Sequence, residues 1–506
     1  MEALTNLWGG FEVALRPNNL MYSFIGVFVG NLIGVLPGIG PLAAISMLLP
    51  ITYGLDPTAA LMMLAGIYYG AQYGGATTSI LLNVPGVASH AVTCLDGHPM
   101  AKQGKAGQAL FMAMFASFIG ACVGIVIMVF FSPLIVDVAL SFGPAEYFAL
   151  MALGLIAAST LARGSPIKGV ASVIIGLILG LVGTDVNTGM QRFAFDVPEL
   201  TDGLSLVGIA MGLFGVSDIL ASVNRIGDSV ISGKVTMKSL RPDKGDLKKS
   251  WGAIARGTGI GAFFGMLPGT GSAIASFMSY ATEKRVSKTP ERFGLGAIEG
   301  VAGPEASNNA AAQTAFIPTM TLGIPGDATM ALMLGALIIH GIQPGPQMLT
   351  EHADVFWGLI ASFWVGNLLL VLLNVPLIGL WVKMLTIPYR IIFPSVLFFI
   401  AIGVYSGNNN LFDVGVTLIA GVLGFAGARL GFEAAPLILG FVLGPLMEEN
   451  FRRTLLLSRG DMAVFIERPI AGSITAATVA LILWVLISRL RANRVRVPVP
   501  AAARAP

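Results

Sequence analysis

Glu305 stands two residues before the run Ser307-Asn308-Asn309, and the same stretch carries Glu299, Gln313, Thr319, Thr321 and Asp327. No Lys or Arg occurs between Phe293 and Val382 to neutralise these acids. A carboxyl group at membrane depth is costly and marks a pathway or a site. A second cation-free stretch, Pro17 to Ala101, holds Gln72, Thr77, Thr78, Ser79 and Asn83. Neither set offers a paired catalytic acid or a nucleophile–base constellation, so an intramembrane enzyme acting through Glu305 or Asp327 has little support. Binding is the chemistry these residues can do. An anion would be held by backbone N–H groups at half-helix N-termini and by hydroxyl and amide side chains. A coupling cation would meet carbonyls freed where helices break, with a carboxylate at hand. The hydroxyls alone also fit interhelical packing, and Glu299 and Asp327 equally fit helix ends near headgroups.

The breaks that would position these groups are written in glycine and proline. Gly34-Val-Leu-Pro-Gly-Ile-Gly40 and Gly265-Met-Leu-Pro-Gly-Thr-Gly271 are near copies, and Asn83-Val-Pro-Gly-Val-Ala-Ser89 parallels Gly323-Ile-Pro-Gly-Asp-Ala-Thr329. In Leu20–Tyr53 the arms on either side of Pro37 are about 25 and 20 Å long, each short of a ~30 Å hydrocarbon core. That describes a re-entrant hairpin whose tip must line a watery cavity or be buried in protein; the alternative is a kink used for helix packing. The candidate substrate and ion site is therefore Pro37, Gly38, Gly40, Thr77, Thr78, Ser79, Asn83, Pro85 and Gly86 in the first half. Its second-half counterpart is Pro268, Gly269, Thr270, Gly271, Ser272, Glu305, Ser307, Asn308, Asn309, Thr319, Thr321, Pro325, Gly326 and Asp327.

Other chemistries lack their residues. The GxLPGxG segments have neither the lysine nor the Ser/Thr of a phosphate loop. No HExxH pair or Cys–His spacing supports a resident metal, leaving only a transient Na⁺. His90, His98, His340 and His352 are scattered and read as packing or loop residues ahead of a proton relay. Cys94 and Cys122 lie in or beside apolar runs and are expected to pack rather than bridge.

Composition sets the solvent. Of 506 residues 55% are hydrophobic and only 11% charged, and the mean hydropathy is +0.80. An ordinary soluble domain carries roughly a quarter charged residues, so an all-α polytopic membrane protein of about 11–12 spans is expected. A net charge of +3 gives no reason to expect nucleic acid. Residues 1–17 show no basic start and apolar run of a cleavable signal.

The ordered pairs of motifs divide the chain into membrane repeats at 18–223 and 257–455, joined by a basic linker at 224–256. An N-terminal segment (1–17), a connecting loop with an extra C-terminal helix (456–488) and an Arg/Pro-rich tail (489–506) complete the organisation. Charge bias puts the linker, the Lys102/Lys105 loop and the Arg163/Lys168 loop in the cytoplasm, and the acidic loops at Asp137/Glu146 and 183–203 outside. Equivalent loops of the second half carry the opposite bias: Glu351 and Asp354, then Lys383 and Arg390, then the cation-free 408–413, then Arg429. The halves thus read as inverted-topology repeats. This places 448–468 outside, although its charges roughly cancel, and returns the arginine-rich tail to the cytoplasm, beside anionic lipid.

With these motifs assembled, the chain resembles the large membrane subunit of the tripartite tricarboxylate transporters from about Asn18 to Thr454. The resemblance rests on Gly34–Gly40, Tyr69-Gly-Ala-Gln-Tyr-Gly-Gly75, Asn83-Val-Pro-Gly86 and Asp96-Gly-His-Pro-Met100. It continues through Phe293–Val301, Pro304-Glu-Ala-Ser-Asn-Asn309, Leu322-Gly-Ile-Pro-Gly326 and His340–Pro346; His98 departs from the tyrosine usual at its position. The resemblance implies an ion-transporter-superfamily-like permease of the bacterial inner membrane, not an enzyme. It would work with a small four-span membrane subunit and a periplasmic solute-binding protein, and carry no cofactor. It would import tricarboxylates, dicarboxylates or aromatic acids by Na⁺ or H⁺ symport, by analogy through an elevator-type movement. The alternative from the residues alone is a passive carboxylate channel or facilitator.

Overall fold

The computed structural model describes residues 2–36, 40–161, 165–185, 188–222, 235–267, 269–385, 387 and 389–495. They form helices throughout, apart from one small antiparallel hairpin pairing Gly183 with Arg192 and Thr184 with Gln191. The first half holds α1 (Glu2–Ala14), α2 (Pro17–Val35), α3 (Pro41–Leu48), α4 (Pro57–Leu82) and α5 (Thr93–Met100). It continues with α6 (Ala106–Ala139), α7 (Pro144–Leu161), α8 (Pro166–Gly180), α9 (Leu206–Ala210) and α10 (Ser217–Ser222). The second half holds α11 (Lys244–Gly265), α12 (Gly271–Val286), α13 (Glu299–Thr314), α14 (Phe316–Leu322), α15 (Ala328–Ile339) and α16 (Ala353–Asn374). Then come α17 (Ile378–Met384), α18 (Tyr389–Asn408), α19 (Leu411–Arg429), α20 (Ala434–Leu457), α21 (Val464–Glu467) and α22 (Pro469–Val495).

Among the described residues, the helical stretches Pro17–Val35, Thr93–Ala139, Ala353–Asn374 and Leu411–Arg429 are long and apolar enough to cross a membrane unaided. Shorter apolar helices such as Pro144–Thr160 and Pro166–Gly180 accompany them. Large apolar side chains point outward on α6 (Phe130, Phe131), α8 (Ile174, Ile178), α18 (Phe398, Phe399) and α19 (Ile419, Leu423). An outer surface of this kind is stable only against lipid. The protein is a multi-pass membrane protein.

Glycine ridges explain how the halves are built. Gly26, Gly30 and Gly34 of α2 face the backbone of Met63, Ile67 and Ala71 on α4, while Gly66, Gly70 and Gly74 of α4 face α2 in return. A Cβ at any of these six would run into backbone atoms, so only glycine allows the two helices to approach this closely. In the second half Gly257, Gly261 and Gly265 of α11 meet Gly303, Ser307 and Ala311 of α13 in the same way. The first arm is longer than the sequence suggested: Pro17 starts α2 one turn earlier, giving 19 residues and roughly 28 Å.

The second pair of breaks also shares one construction. α4 ends on Asn83 at φ 57°, α14 on Gly323 at φ 67°, and each stands two residues before a proline that cannot continue the helix. Between the halves, α6 packs on α13, α8 on α20, and α19 on the α9–α10 segment. Polar ties close the ends: Lys168 Nζ donates to the Leu430 carbonyl (2.5 Å) and Gln103 Nε2 to that of Leu295 (2.8 Å). At other ends Arg452 joins Asp185 (2.9 Å) to Glu448 (2.6 Å), Arg192 reaches Glu448 (2.8 Å), and Arg468 reaches Glu146 (2.8 Å). Cys94 and Cys122 are free thiols.

Candidate functional site

The breaks of both halves converge on one cavity of about 540 Å³. Gly40, Pro41 and Leu42 bring the start of α3 to its wall, and Gly269, Thr270, Gly271 and Ser272 bring the start of α12. Pro85 to Ser89 enter from the break after α4, and Asp327, Ala328 and Thr329 from the start of α15. Glu433, Ala435 and Pro436 bring the start of α20, so four helix N-termini end at this wall. Free backbone N–H groups of a first turn carry partial positive charge, which suits an anion.

Local chemistry holds these termini in place. Gly269 (φ 79°) and Gly271 (φ 63°) adopt left-handed backbone that any side chain would strain. The Thr270 hydroxyl donates to the Leu267 carbonyl (2.9 Å) and to that of Phe264, tying the tip to the end of α11. Asp327 caps α15 by accepting the Met330 N–H (2.9 Å), and its other oxygen accepts the Tyr68 hydroxyl of α4 (3.3 Å). So Asp327 is both a helix end and a wall residue. Glu299, the other acid read as a possible helix end, begins α13 and faces Arg292 (3.6 Å).

Among the described residues the wall carries the carboxyl-bearing Asp218, Asp327 and Glu433, the polar Gln72, Ser89, Thr270, Ser272 and Thr329, and no Lys or Arg. Of the candidate site residues, Gly40, Pro85, Gly86, Gly269, Thr270, Gly271, Ser272 and Asp327 line the cavity. Pro37, Gly38 and Pro268 lie outside the described residues. Thr77 is buried in α4; Thr78 and Ser79 bond the Gly75 carbonyl one turn back (3.0 and 2.9 Å). Thr319 and Thr321 do the same with Ala315 and Ile317 (both 2.7 Å). Asn83 is exposed at the end of α4, and Pro325 and Gly326 are buried in the break before Asp327.

Glu305, Ser307, Asn308 and Asn309 gather elsewhere, in the middle of α13 and fully buried. Glu305 accepts the hydroxyls of Thr93 (2.5 Å) and Ser117 (3.4 Å), and its Oε2 lies 3.6 Å from His90 Nε2. Asn308 Nδ2 stands 3.2 Å from the same nitrogen, and Asn309 Nδ2 donates to Ser117 (2.7 Å). The buried oxygens Asn308 Oδ1, Asn309 Oδ1 and Gln313 Oε1, and the nitrogen His90 Nδ1, have no hydrogen-bond partner. This network adjoins the cavity, because His90 follows Ser89, whose hydroxyl reaches wall residue Gln72 (3.4 Å).

Sequence reasoning missed His90, Thr93 and Ser117, which meet Glu305 from nearly 200 residues away in the chain. It also missed Asp218, Glu433 and Tyr68. Only Gln72 among the additional wall side chains had drawn notice, through its closeness to a break. Asp96 supplies another long-range tie: one carboxylate oxygen accepts the N–H groups of Gly294, Gly296 and Ala297, each at 2.8 Å. Its other oxygen accepts the Tyr280 hydroxyl (2.9 Å). The Asp96–Met100 and Phe293–Val301 motifs are therefore two sides of one junction.

Comparison with known proteins agrees with this architecture. Residues 20–439 match the tripartite tricarboxylate transporter TctA family. An uncharacterized 52.8 kDa protein in the TAR-I ttuC' 3' region of Agrobacterium vitis is 52% identical over 497 residues, covering 98% of this chain and 99% of that protein. A second uncharacterized protein, in the TAR-II ttuC' 3' region of the same organism, is 56% identical over 234 residues, covering 46% of this chain and 97% of that protein. No solved structure matches the chain.

Proposed function

Because the chain belongs to the tripartite tricarboxylate transporter TctA family, we propose that it is the large permease subunit of a binding-protein-dependent secondary transporter in the bacterial inner membrane. It imports tri- or dicarboxylates, or aromatic acids, in symport with Na⁺ or H⁺. Its partners are the small four-span membrane subunit and the periplasmic solute-binding protein.

The observation that carries this reading is the single cavity on which the breaks of both halves converge. Helix N-termini and hydroxyl groups offer donors for a carboxylate, while Asp218, Asp327 and Glu433 stand in the same wall. A carboxylate entering among these acids, with no Lys or Arg on the described wall, is repelled unless cations or protons enter with it. Coupling is then a condition of binding. A passive pore would admit the anion without such company.

The inverted repeats at 18–223 and 257–455 belong to the same proposal. The end ties are in keeping with them, because each joins segments that the inverted arrangement puts on one face. Lys168 with Leu430 and Gln103 with Leu295 are cytoplasmic pairs. Asp185 with Arg452, and Glu146 with Arg468, are external pairs. Ala158, Ala221 and Glu433 of the cavity wall lead into cytoplasmic loops, which supports an inward-facing state. Movement of a break-bearing unit against a scaffold, elevator-fashion, would present the cavity to the other side.

The test is uptake of labelled citrate, succinate and benzoate by vesicles holding the complete three-part system. Uphill accumulation that collapses when the ion gradients are dissipated is expected. Equilibration that never exceeds the external concentration would convict the facilitator instead.

A further inference from the structure

His90 and Glu305 are both buried, with ring nitrogen and carboxylate 3.6 Å apart. An ionised carboxylate enclosed this way needs a positive partner or a proton. Among the described residues, neighbouring elements supply no free cation. On α11, Arg256 is bound to Glu283 of α12 (2.7 Å); ahead of α13, Arg292 faces Glu299. Lys248, Lys249, Lys284 and Arg285 lie exposed on α11 and α12. Tyr68 and Tyr73 of α4 are committed to Asp327 and Asn367, while Tyr280 of α12 is committed to Asp96 of α5. His98 of α5 bonds the Ile80 carbonyl (3.1 Å), and Cys94 of α5 and Cys122 of α6 are free thiols that carry no basic group. Among the described residues, His90 is the base that faces Glu305.

The orphan atoms show how the pair changes state. With His90 neutral and Nε2 accepting from Asn308 Nδ2, the ring proton sits on Nδ1, which has no partner. A proton added at Nε2 makes a cationic ring 3.6 Å from Glu305 Oε2 and leaves its new N–H as a donor. Rotating the Asn308 amide then turns its unpartnered Oδ1 to that donor. One proton thus takes the pair from net −1 to neutral, with no other reactant, and gives a waiting acceptor its bond. We infer that the buried His90–Glu305 pair, one residue behind the cavity wall at Ser89, binds the coupling ion of this transporter and that this ion is a proton.

The inference rests on the symport reading above and narrows it to one ion and one site. The test uses proteoliposomes containing the three-part complex and a trapped pH dye, with external citrate, succinate and benzoate as probes. Expected are lumenal acidification during uptake and accumulation driven by a pH gradient without sodium. Raising the external pH should slow uptake, because the proton is then a scarcer co-substrate. Glu305→Gln fixes the pair without charge on the acid, so accumulation should be lost while exchange of labelled for unlabelled substrate persists. His90→Gln should flatten the pH profile.

Accumulation driven by sodium alone, with no acidification in the wild type, would overturn the proton site and leave the symport reading standing. Wild-type pH-driven accumulation retained in full by Glu305→Gln would overturn the site as well. Failure of all three probes to accumulate under either gradient would overturn the symport reading itself. The wild-type acidification measurement decides the ion even where a variant does not fold.

Discussion

Replacing Asp96 by alanine removes the acceptor of three backbone N–H groups and one hydroxyl at the α5 junction with the 294–297 segment. The carboxylate is fully buried, so no water stands ready to replace it. An orphaned buried donor costs about 1–3 kcal/mol. Ala297 is buried, Gly296 half-buried and Gly294 exposed, so about 3 kcal/mol for the first and about 1.5 kcal/mol for each of the others give ~6 kcal/mol if additive, less roughly 2 kcal/mol recovered by no longer burying a charge. We expect a net loss near 4 kcal/mol for Asp96→Ala. Tyr280→Phe removes one bond and should cost about 1 kcal/mol. Asp96→Asn keeps an acceptor oxygen for the N–H groups but not the charge, and should fall between, near 2 kcal/mol. Reversible SDS unfolding of the purified protein in mixed micelles, followed by tryptophan fluorescence, measures the order. If Asp96→Ala came within about 1 kcal/mol of Tyr280→Phe, the junction would not depend on this carboxylate.

Three further outcomes follow from the geometry. In a Cys94→Ser/Cys122→Ser background, Ser272→Cys and Ser89→Cys should react with a water-soluble thiol reagent and be protected by substrate, whereas Thr319→Cys should stay unreactive; mass spectrometry of labelled protein reads this. Gly30→Leu and Gly261→Leu should each cost at least ~2 kcal/mol, because backbone lies where the side chain would go, and yields on size-exclusion chromatography should fall accordingly. Gly269→Ala adds a methyl at φ 79° against the Ala158 backbone and should lower the initial uptake rate about 10-fold or more while a conservative change at exposed Gly245 leaves it unchanged.

The breaks were legible because proline followed by glycine acts locally: Pro85-Gly86 and Pro325-Gly326 each follow a left-handed Asn83 or Gly323 by two residues, whereas Pro304 and Pro445, without that pairing, lie inside helices. The depth of Glu305 was legible from the absence of Lys and Arg around it. Its partners were not. Thr93 and Ser117 look like any other hydroxyl in an apolar helix, and only folding sets them against α13. Conversely Thr319 and Thr321 looked available, yet each spends its hydroxyl on its own helix. His90 was read as a packing or loop residue because the histidines are scattered along the chain; its chemistry comes from Glu305 and Asn308, over 200 positions away. Paired glycines were read at the level of repeats, but which helices they join emerged only from the fold.

One consequence concerns how such a chain is made. Every residue of α4 from Thr58 to Leu82 is shielded by protein, and its neighbours include α13, α15 and α16, synthesised more than 200 residues later. During translation this glycine-rich helix, with Gln72 and its hydroxyls, must wait in the insertion machinery or lodge transiently in lipid without its eventual wrapping. The first half therefore reaches its native packing only after the ribosome has delivered the second.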